Sequence, residues 1–429
     1  MASLPEALAW LDQHINLEAR AGKVEHLSLD PMRRLVDVLG DPQTAYPVIH
    51  LTGTNGKGST ARMVTALLAE GGLSVGTYTS PHLQRINERL SRNGEPIDDN
   101  ELAVLLMDLS RLEALVGTPN SYFELLTAAA LMWFADIAVD VAVVEVGLLG
   151  RYDATNVCDG AVAIVTNVGQ DHSDFTGDWR AKVADEKAGI VKPGSTLVLG
   201  ETDEALTPIF YRAGAAEVWE RDRDFACEAN ELAVGGRLLE LRTPASSLSD
   251  VFLPLHGAHQ GDNAACALAA AEAFFAQPLD EEVVAEAFGS ITMPGRFEIV
   301  GHEPLIVLDG AHNPEGAAAA AATLRDGFMQ DDRRIVVVGM LHPRDVTAML
   351  DALEVDDATF VIACEPASAR AVPASDIVAA ASRLGADAVE ERDVGLAVDR
   401  AKRLATPDDV ILVTGSLYVV GSARSHLGL

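Results

Sequence analysis

Three stretches of this chain run apolar almost without a break: "YPVIHLTG" (Tyr46–Gly53), "VDVAVVEVG" (Val139–Gly147) and "AVAIVTNVG" (Ala161–Gly169). A strand with water on one face alternates polar and apolar residues; a strand covered on both faces does not. Strands of the second kind require a mainly parallel sheet with helices packed on each side. The sequence between them supplies those helices. "KGSTARMVTALLAEGG" reads as a helix closed by Gly71 and Gly72, and others are expected over Asp98–Leu115, Tyr122–Ala138 and Trp179–Ala188. "SVGTYTS" (Ser74–Ser80) and "STLVLG" add strands, while Glu217–Leu255 alternates only weakly and predicts a small antiparallel excursion.

After "MPGRFE" the rhythm restarts. "PLIVLDG", "RRIVVVGML", "ATFVIACE" and "DDVILVTGS" read as strands, and "HNPEGAAAAAATLRDGF" as a helix. The expected fold is therefore α/β in two units: a doubly wound, mainly parallel sheet over residues 1–298, then a smaller Rossmann-like α/β unit over 299–429. A chain of 429 residues has room for both. No Pro- or Ser-rich linker separates them, so they should touch across a cleft, with ligands beyond the carboxyl ends of the strands.

Composition narrows the function classes. Lys and Arg number 32 against 64 Asp and Glu, a net charge of −32, which makes nucleic acid and anionic membranes poor partners. No run of about 18 apolar residues occurs, so a spanning helix is not expected. The N-terminal "MASLPEALAWLDQHINLEAR" reads as an amphipathic helix instead of a signal peptide. Cys158, Cys227, Cys266 and Cys364 are scattered without paired spacing, as expected of reduced thiols in a cytoplasmic protein. A monomer is expected.

The turn after the first strand carries the strongest chemical signal. "HLTGTNGKGSTARM" (His50–Met63) sets Gly53, Thr54, Asn55, Gly56, Lys57, Gly58, Ser59 and Thr60 between a strand and a helix N-terminus. The common phosphate loop has a glycine, four residues and then Gly-Lys-Ser/Thr. Here Leu51 stands at the first glycine's place and the hydroxyls come one residue late, behind Gly58. The physics survives the altered spacing: glycines permit close approach, unpaired N–H groups face an anion, Lys57 reaches terminal phosphate oxygens, and Ser59 or Thr60 can meet magnesium. The loop lysine is one of only six lysines in the chain, so it is unlike ordinary surface charge.

Neighbouring strand ends carry more. Ser80 closes "TYTS", Glu145 ends a wholly apolar strand, and "TNVGQDHSDFTGD" carries Asp171, His172 and Asp174. "ADEKAGIVKPG" places Lys187 on a helix beside Asp185 and Glu186. Singly, these read equally as a paired structural glutamate, a loop histidine and a helix-surface ion pair. Beside a phosphate loop, oxygen ligands with one imidazole suit Mg²⁺ held between protein and phosphates.

In "TGTNGKGST", "TSPHL", "SYFELLTAAAL", "EVGLLGRYDATN", "TNVGQDHSDFTGD", "EKAGIVKPG", "HGAHQGDNAACAL", "MPGRFE", "LDGAHNPEG" and "VTGSLYVVG", in that order from about Thr52 to Gly421, the chain resembles the folylpolyglutamate synthase/dihydrofolate synthase family of the Mur ligase superfamily. The resemblance implies a P-loop central domain of the Mur ligase type and ATP-dependent ligation of L-glutamate. The acceptor would be dihydropteroate, the γ-carboxylate of reduced folates, or both, activated as an acyl phosphate with release of ADP and phosphate. ATP would lie on Gly53–Thr60, Asn263, Arg296, Asp309 and His312. Two Mg²⁺ ions would sit on Ser59, Ser80, Glu145 and His172, and Lys187 would carry a CO₂-derived carbamate. Lys57, Lys187, His172 and Glu145 would carry the chemistry. The pterin would lie near Ser121, Tyr122, Phe123, Glu124, Tyr152, Asp153 and Ala154, with His26–Leu29 close by.

The pattern departs from the family at two places. Leu149 breaks an expected glycine pair in "GLLGR", which should restrict that turn or add an apolar wall, and Gln170 is more polar than usual. Two other readings stay open on the sequence: a Mur-type ligase for a different acceptor, and a non-catalytic P-loop nucleotide-binding module.

Overall fold

The structure, a computed structural model, describes residues 3–16, 28–169, 177–328 and 333–429. Its strands are β1 (Val48–Thr52), β2 (Val75–Tyr78), β3 (Leu90–Arg92), β4 (Glu95–Pro96), β5 (Val141–Glu145), β6 (Gly160–Val165), β7 (Thr196–Leu199) and β8 (Glu217–Glu220) in the first sheet. These lie in the order β4–β3–β2–β5–β1–β6–β7–β8. All neighbours are parallel except the β2–β3–β4 edge, which turns antiparallel. The expected excursion begins later than the sequence indicated, because Glu217–Glu220 extends the main sheet in parallel beside β7. Only β9 (Ala226–Ala233), β10 (Gly236–Arg242) and β11 (Ser247–Leu253) form a separate antiparallel sheet.

β1 is buried throughout, and its two faces divide the labour. Ile49 and Leu51 pack with Met63, Val64 and Leu67 of the helix Lys57–Glu70 and with the alanine-rich helix His259–Phe275. Val48 packs on the opposite side, in the cluster formed by the helix Tyr122–Asp136, and period-two alternation puts His50 and Thr52 on that side as well. Each large aliphatic chain sealed this way stabilises the fold by roughly 1.5–3 kcal/mol, so the register Leu51↔Glu145 and His50↔Ala163 is firmly held.

The second sheet comprises β12 (Glu298–His302), β13 (Leu305–Leu308), β14 (Arg334–Val338), β15 (Thr359–Ala363), β16 (Asp387–Glu390) and β17 (Val410–Thr414). Its order is β12–β13–β17–β14–β15–β16, parallel apart from β12. Along β14, Val336 and Val338 join one core while Ile335 and Val337 join the other, so both faces are covered.

Topology decides where ligands go. The helix after β1 leads to β2 on one side, whereas β6 pairs with β1 on the other. The strand order therefore reverses at β1, and a crevice opens at its carboxyl end. In the second sheet the last strand, β17, returns to insert between β13 and β14. No described helix is long and apolar enough to cross a membrane.

The units meet where the loop after β2 reaches the C-terminal helix Leu417–Leu427. Leu83 packs against the second unit's core, and Gln84 accepts from Arg424 Nε at 3.0 Å. A Cβ on Gly421 would lie 2.0 Å from the Leu83 carbonyl oxygen. Gly421→Ala is therefore expected to force that backbone away and lower the stability in urea unfolding by about 1–3 kcal/mol. Unchanged stability would mean that this contact does not hold in solution.

Candidate active site at the junction of the two sheets

The loop after β1 bends because only glycine suits its pivot. Gly56 has φ +83°, and a Cβ there would come within 2.3 Å of Asn263 Oδ1. The helix then starts at Lys57, so the N–H groups of its first turn have no intrahelical partner and present a positive helix end. The end of β6 braces the loop. Thr166 Oγ1 and Asn167 Nδ2 both donate to Asn55 O, at 2.6 and 3.0 Å, and Asn55 N donates to Asn167 Oδ1 at 2.9 Å. Lys57 Nζ donates to Gly53 O and Thr54 O at 3.0 and 3.2 Å, curling the turn around its own ammonium.

This loop opens into a cleft of ≈ 730 Å³ between the two sheets. Thr54–Ser59, Ser80 and Glu145 line it from the first unit, together with Asn263. Arg296, Asp309 and His312 line it from the linker and the second unit. Residues hundreds of positions apart thus share one space. A direct hydrogen bond crosses it: Asn313 Nδ2 donates to Asn55 Oδ1 at 2.9 Å. Asn313 also caps the helix Pro314–Gly327, accepting from Gly316 N at 2.8 Å, so a second helix N-terminus faces the cleft.

Other expected residues lie elsewhere. Thr60 is fully buried behind the loop and does not line the cleft; Ser59 is the hydroxyl placed there. Asp309 lines the cleft, yet both its oxygens accept from backbone, Oδ2 from Phe297 N at 2.8 Å and Oδ1 from Ala311 N at 2.9 Å. Lys187, on the helix Trp179–Ala188, is fully buried, so it is not a helix-surface charge. Ser121 and Glu124 form a capping box at the helix Tyr122–Asp136, with Ser121 N donating to Glu124 Oε2 at 2.7 Å. Phe123 adjoins the cleft, since a Cβ on Gly147 would lie 2.3 Å from its ring. Tyr122 is buried with the Arg89 guanidinium 6.0 Å from its ring centre, Tyr152 is exposed, and Asp153 and Ala154 are buried. Gln170, Asp171, His172 and Asp174 lie outside the described residues, as do His26 and Leu27.

Glu145 sets the electrostatics. Burial pushes its carboxyl above the ordinary 4.5, opposed by the Lys57 ammonium, the Ser80 N–H, Arg296 and Arg89. Ser80 N donates to Oε2 at 3.1 Å, and the Gly58 side of the helix start lies open towards the same oxygen. The donor set is Glu145 carboxylate with the Ser59 and Ser80 hydroxyls, which is hard-oxygen chemistry and fits magnesium. Among the described residues no group of three or more His, Cys, Asp and Glu could hold an ion alone. Phosphates and water would complete the shell, as Mg²⁺ prefers.

Asn167, Asn313, His259, Arg180, Arg221, Arg344 and Arg370 take part in the site or line the cleft without having been anticipated. Only Asn313 left a signal, an asparagine before a helix-opening proline.

Residues 51–271 match the Mur ligase middle domain and 295–417 the Mur ligase glutamate ligase domain. Dihydrofolate synthase/folylpolyglutamate synthase of Mycobacterium tuberculosis is 40% identical over 94% of this chain and 90% of its own length. The chain belongs to the dihydrofolate synthase/folylpolyglutamate synthase family of Mur ligases. Solved members superpose over nearly all of it. Folylpolyglutamate synthase of M. tuberculosis, complexed with ADP and AMPPCP, gives a TM-score of 0.90 at 38% identity, covering 99% of this chain and 98% of that one. The Yersinia pestis bifunctional enzyme, complexed with AMPPNP and Mn ion, gives 0.86 at 28% identity, covering 100% and 99%.

Against the family pattern, Leu149 stands out. It holds φ +57°, the left-handed region that glycine occupies freely, at a strain of about 1–2 kcal/mol. Two contacts hold it there: Thr52 Oγ1 donates to its carbonyl at 2.6 Å, and its side chain packs against the core formed with Val146 and Ile190.

The raised Glu145 carboxyl fixes a sign. As pH climbs from 4.5, the unfolded chain ionises first while the folded one resists, so the ligand-free protein loses stability through that window. Glu145→Gln abolishes this loss. Its melting temperature is expected to exceed that of the native chain by a margin that widens as pH rises above 4.5, measured without nucleotide or metal. A margin of the opposite sign would show that Lys57 and Arg296 outweigh burial.

Proposed function

We propose that this chain uses ATP to activate the carboxylate of a pterin-bearing acceptor and joins it to the amine of L-glutamate. One observation carries the reading: a lysine-bearing phosphate loop at a helix N-terminus shares a cleft with a buried carboxylate, and the second unit closes that cleft. Dihydropteroate and reduced folates are both assigned as acceptors. In this scheme residues 1–298 hold ATP and the acceptor, and 299–429 present glutamate and the far wall of the nucleotide site.

The loop N–H groups and Lys57 hold the β- and γ-phosphates. The acceptor carboxylate attacks the γ-phosphorus, the bond to the bridging oxygen breaks, and ADP leaves. Glutamate's neutral amine then attacks the acyl carbon of the resulting acyl phosphate; phosphate departs and the amine loses a proton. Such transfers need in-line placement and positive charge, which Lys57, Arg296 and the two helix ends supply. Ser59, Ser80, Glu145 and His172 are the residues assigned to magnesium, with two ions. Bound there, magnesium would neutralise the phosphate oxygens and polarise the phosphorus.

Lys187 is assigned a carbamate. Its burial and its place on the helix that abuts Gly150, in the turn beyond Glu145, support that role. Carbamylation would turn a buried cation into an anion able to orient metal or acyl phosphate. One chain builds the whole cleft, so we take the working unit to be a monomer. The four cysteines are unpaired, which suits the cytoplasm.

Phosphate release with ATP, magnesium and glutamate is expected with either dihydropteroate or tetrahydrofolate and to stop in excess EDTA. Lys57→Ala is expected to cut turnover at least about a thousandfold, about 4 kcal/mol of barrier. Phosphate release that ignores glutamate, or survives EDTA, would sink the proposal. Incubation with ¹³C-bicarbonate is expected to give a carbamate carbon signal by NMR that Lys187→Ala lacks; no such signal in the native chain removes the carbamate.

A further inference from the structure

The side of β1 that bears His50 and Thr52 is not needed for the phosphate loop, yet both residues are fully buried and both end on the turn after β5. Thr52 Oγ1 donates directly to Leu149 O at 2.6 Å. His50 reaches the same turn through a relay. Its Nε2 lies 2.9 Å from Thr155 Oγ1, and Thr155 Oγ1 donates to Asp153 Oδ1 at 2.5 Å. Asp153 is tied into the turn as well: Oδ2 accepts from Leu148 N at 2.7 Å and Oδ1 from Thr155 N at 3.0 Å.

The direction of the relay is forced. Burial pushes the Asp153 carboxyl up, opposed by the hydrogen bonds it accepts, and the geometry has Thr155 Oγ1 donating to Oδ1 while both oxygens also accept backbone N–H groups. Thr155 must therefore give its proton to Asp153 and accept from His50, which puts the imidazole proton on Nε2. The other tautomer would strand a proton on Nδ1, which is buried and has no hydrogen-bond partner among the described residues. Burial pushes His50 down to about 3, with Lys192 acting in the same sense. The ring is thus a fixed neutral donor.

We propose that His50 is a positioning residue for the acceptor: through Thr155 and Asp153 it fixes the turn Gly147–Ala154 that bears the pterin. The proposal rests on the acceptor-site reading given above. Its physical content is that one strand sets two positions. The carboxyl end of β1 carries the phosphate loop, and its Val48 face braces the acceptor turn, so one doubly covered strand holds the acceptor's binding wall in place.

His50→Leu removes the donor, and Thr155→Val removes the relay hydroxyl without changing shape. Each is expected to raise the KM for dihydropteroate and for tetrahydrofolate about tenfold while the KM for ATP and kcat at saturating acceptor stay within about twofold. His50→Gln, whose Nε2 amide can donate to Thr155, is expected to return the acceptor KM to within about threefold of native. An acceptor KM left unmoved by Thr155→Val overturns the proposal. So does a parallel rise in the KM for ATP, or a glutamine variant no better than leucine. Should His50→Leu fail to fold, Thr155→Val decides by the same criteria. Phe123→Ala, which alters the proposed acceptor wall directly, separates the two levels. If it raises the acceptor KM while His50→Leu and Thr155→Val do not, the relay alone is wrong. If none of the three moves it, the acceptor-site reading is wrong.

Discussion

A carboxylate enclosed by apolar strands is tolerated only where positive charge reaches it, and Glu145 imposes that demand at the centre of this molecule. Removing an unpaired ion from water costs several kcal/mol even after relaxation. β5 cannot withdraw the group, because Leu51↔Glu145 pairing fixes its end beside β1. The charge must come to it, and it does: Lys57 from the adjoining loop, Arg89 from the turn after β2, and Arg296 from the linker to the second unit. The buried anion thus dictates which elements converge on the crevice. In the proposed scheme a divalent ion with a phosphate chain would complete a charge balance that the side chains leave open.

The same reasoning resolves an apparent conflict. A chain of net charge −32 should repel ATP, glutamate and folates, all of them anions. Yet the cleft is lined by six basic side chains, Lys57, Arg180, Arg221, Arg296, Arg344 and Arg370, against four acidic ones. Solvent charges are screened beyond roughly 8 Å at physiological ionic strength, so the acidic exterior acts weakly at the bottom of a deep crevice. Two helix N-termini, at Lys57 and Pro314, add partial positive charge at close range. Local arrangement outweighs net charge.

Strands such as β1, β5, β6 and β17 were legible in the sequence because burial on both faces writes itself as unbroken apolar residues. β3, β4 and β16 were not. They are two to four residues long and lie at or next to sheet edges, where neither alternation nor a continuous run has room to appear. β8 was misassigned to the antiparallel excursion because "EVWE" is half-exposed and carries no sign of whether its partner is parallel. The phosphate loop was legible through its glycines and lysine, which are local requirements. Asn167 and Asn313 were not, because what matters in them is a shared partner, Asn55, more than a hundred residues away from each. Thr60 shows the limit in the other direction. Adjacent hydroxyls look equivalent in sequence, and only the helix phase separates Ser59 at the cleft from Thr60 against the sheet.

Contact between the two units joins apolar and polar groups, which bears on how the cleft works. Leu83 and the His256–Phe328 ring pair are apolar anchors, Asn313 donates to Asn55 at 2.9 Å, and Gln84 is bonded to Arg424, Ser425 and Leu429 at 3.0, 3.2 and 3.1 Å. The linker stores conformational strain. Phe297 holds φ +45°, a region that a bulky residue keeps only when its surroundings over-determine it. Here the surroundings are the His256 and Phe328 rings, at 5.7 and 5.4 Å between centres, and Asp309, whose carboxylate accepts from the Phe297 N–H. A ligand shifts a conformational balance only by its difference in affinity for the two states. A ligand group bonded to the Asp309 carboxylate would share it with the Phe297 N–H. Phe297 is thus restrained by a cleft carboxylate that stands directly after β13, across the hairpin from it.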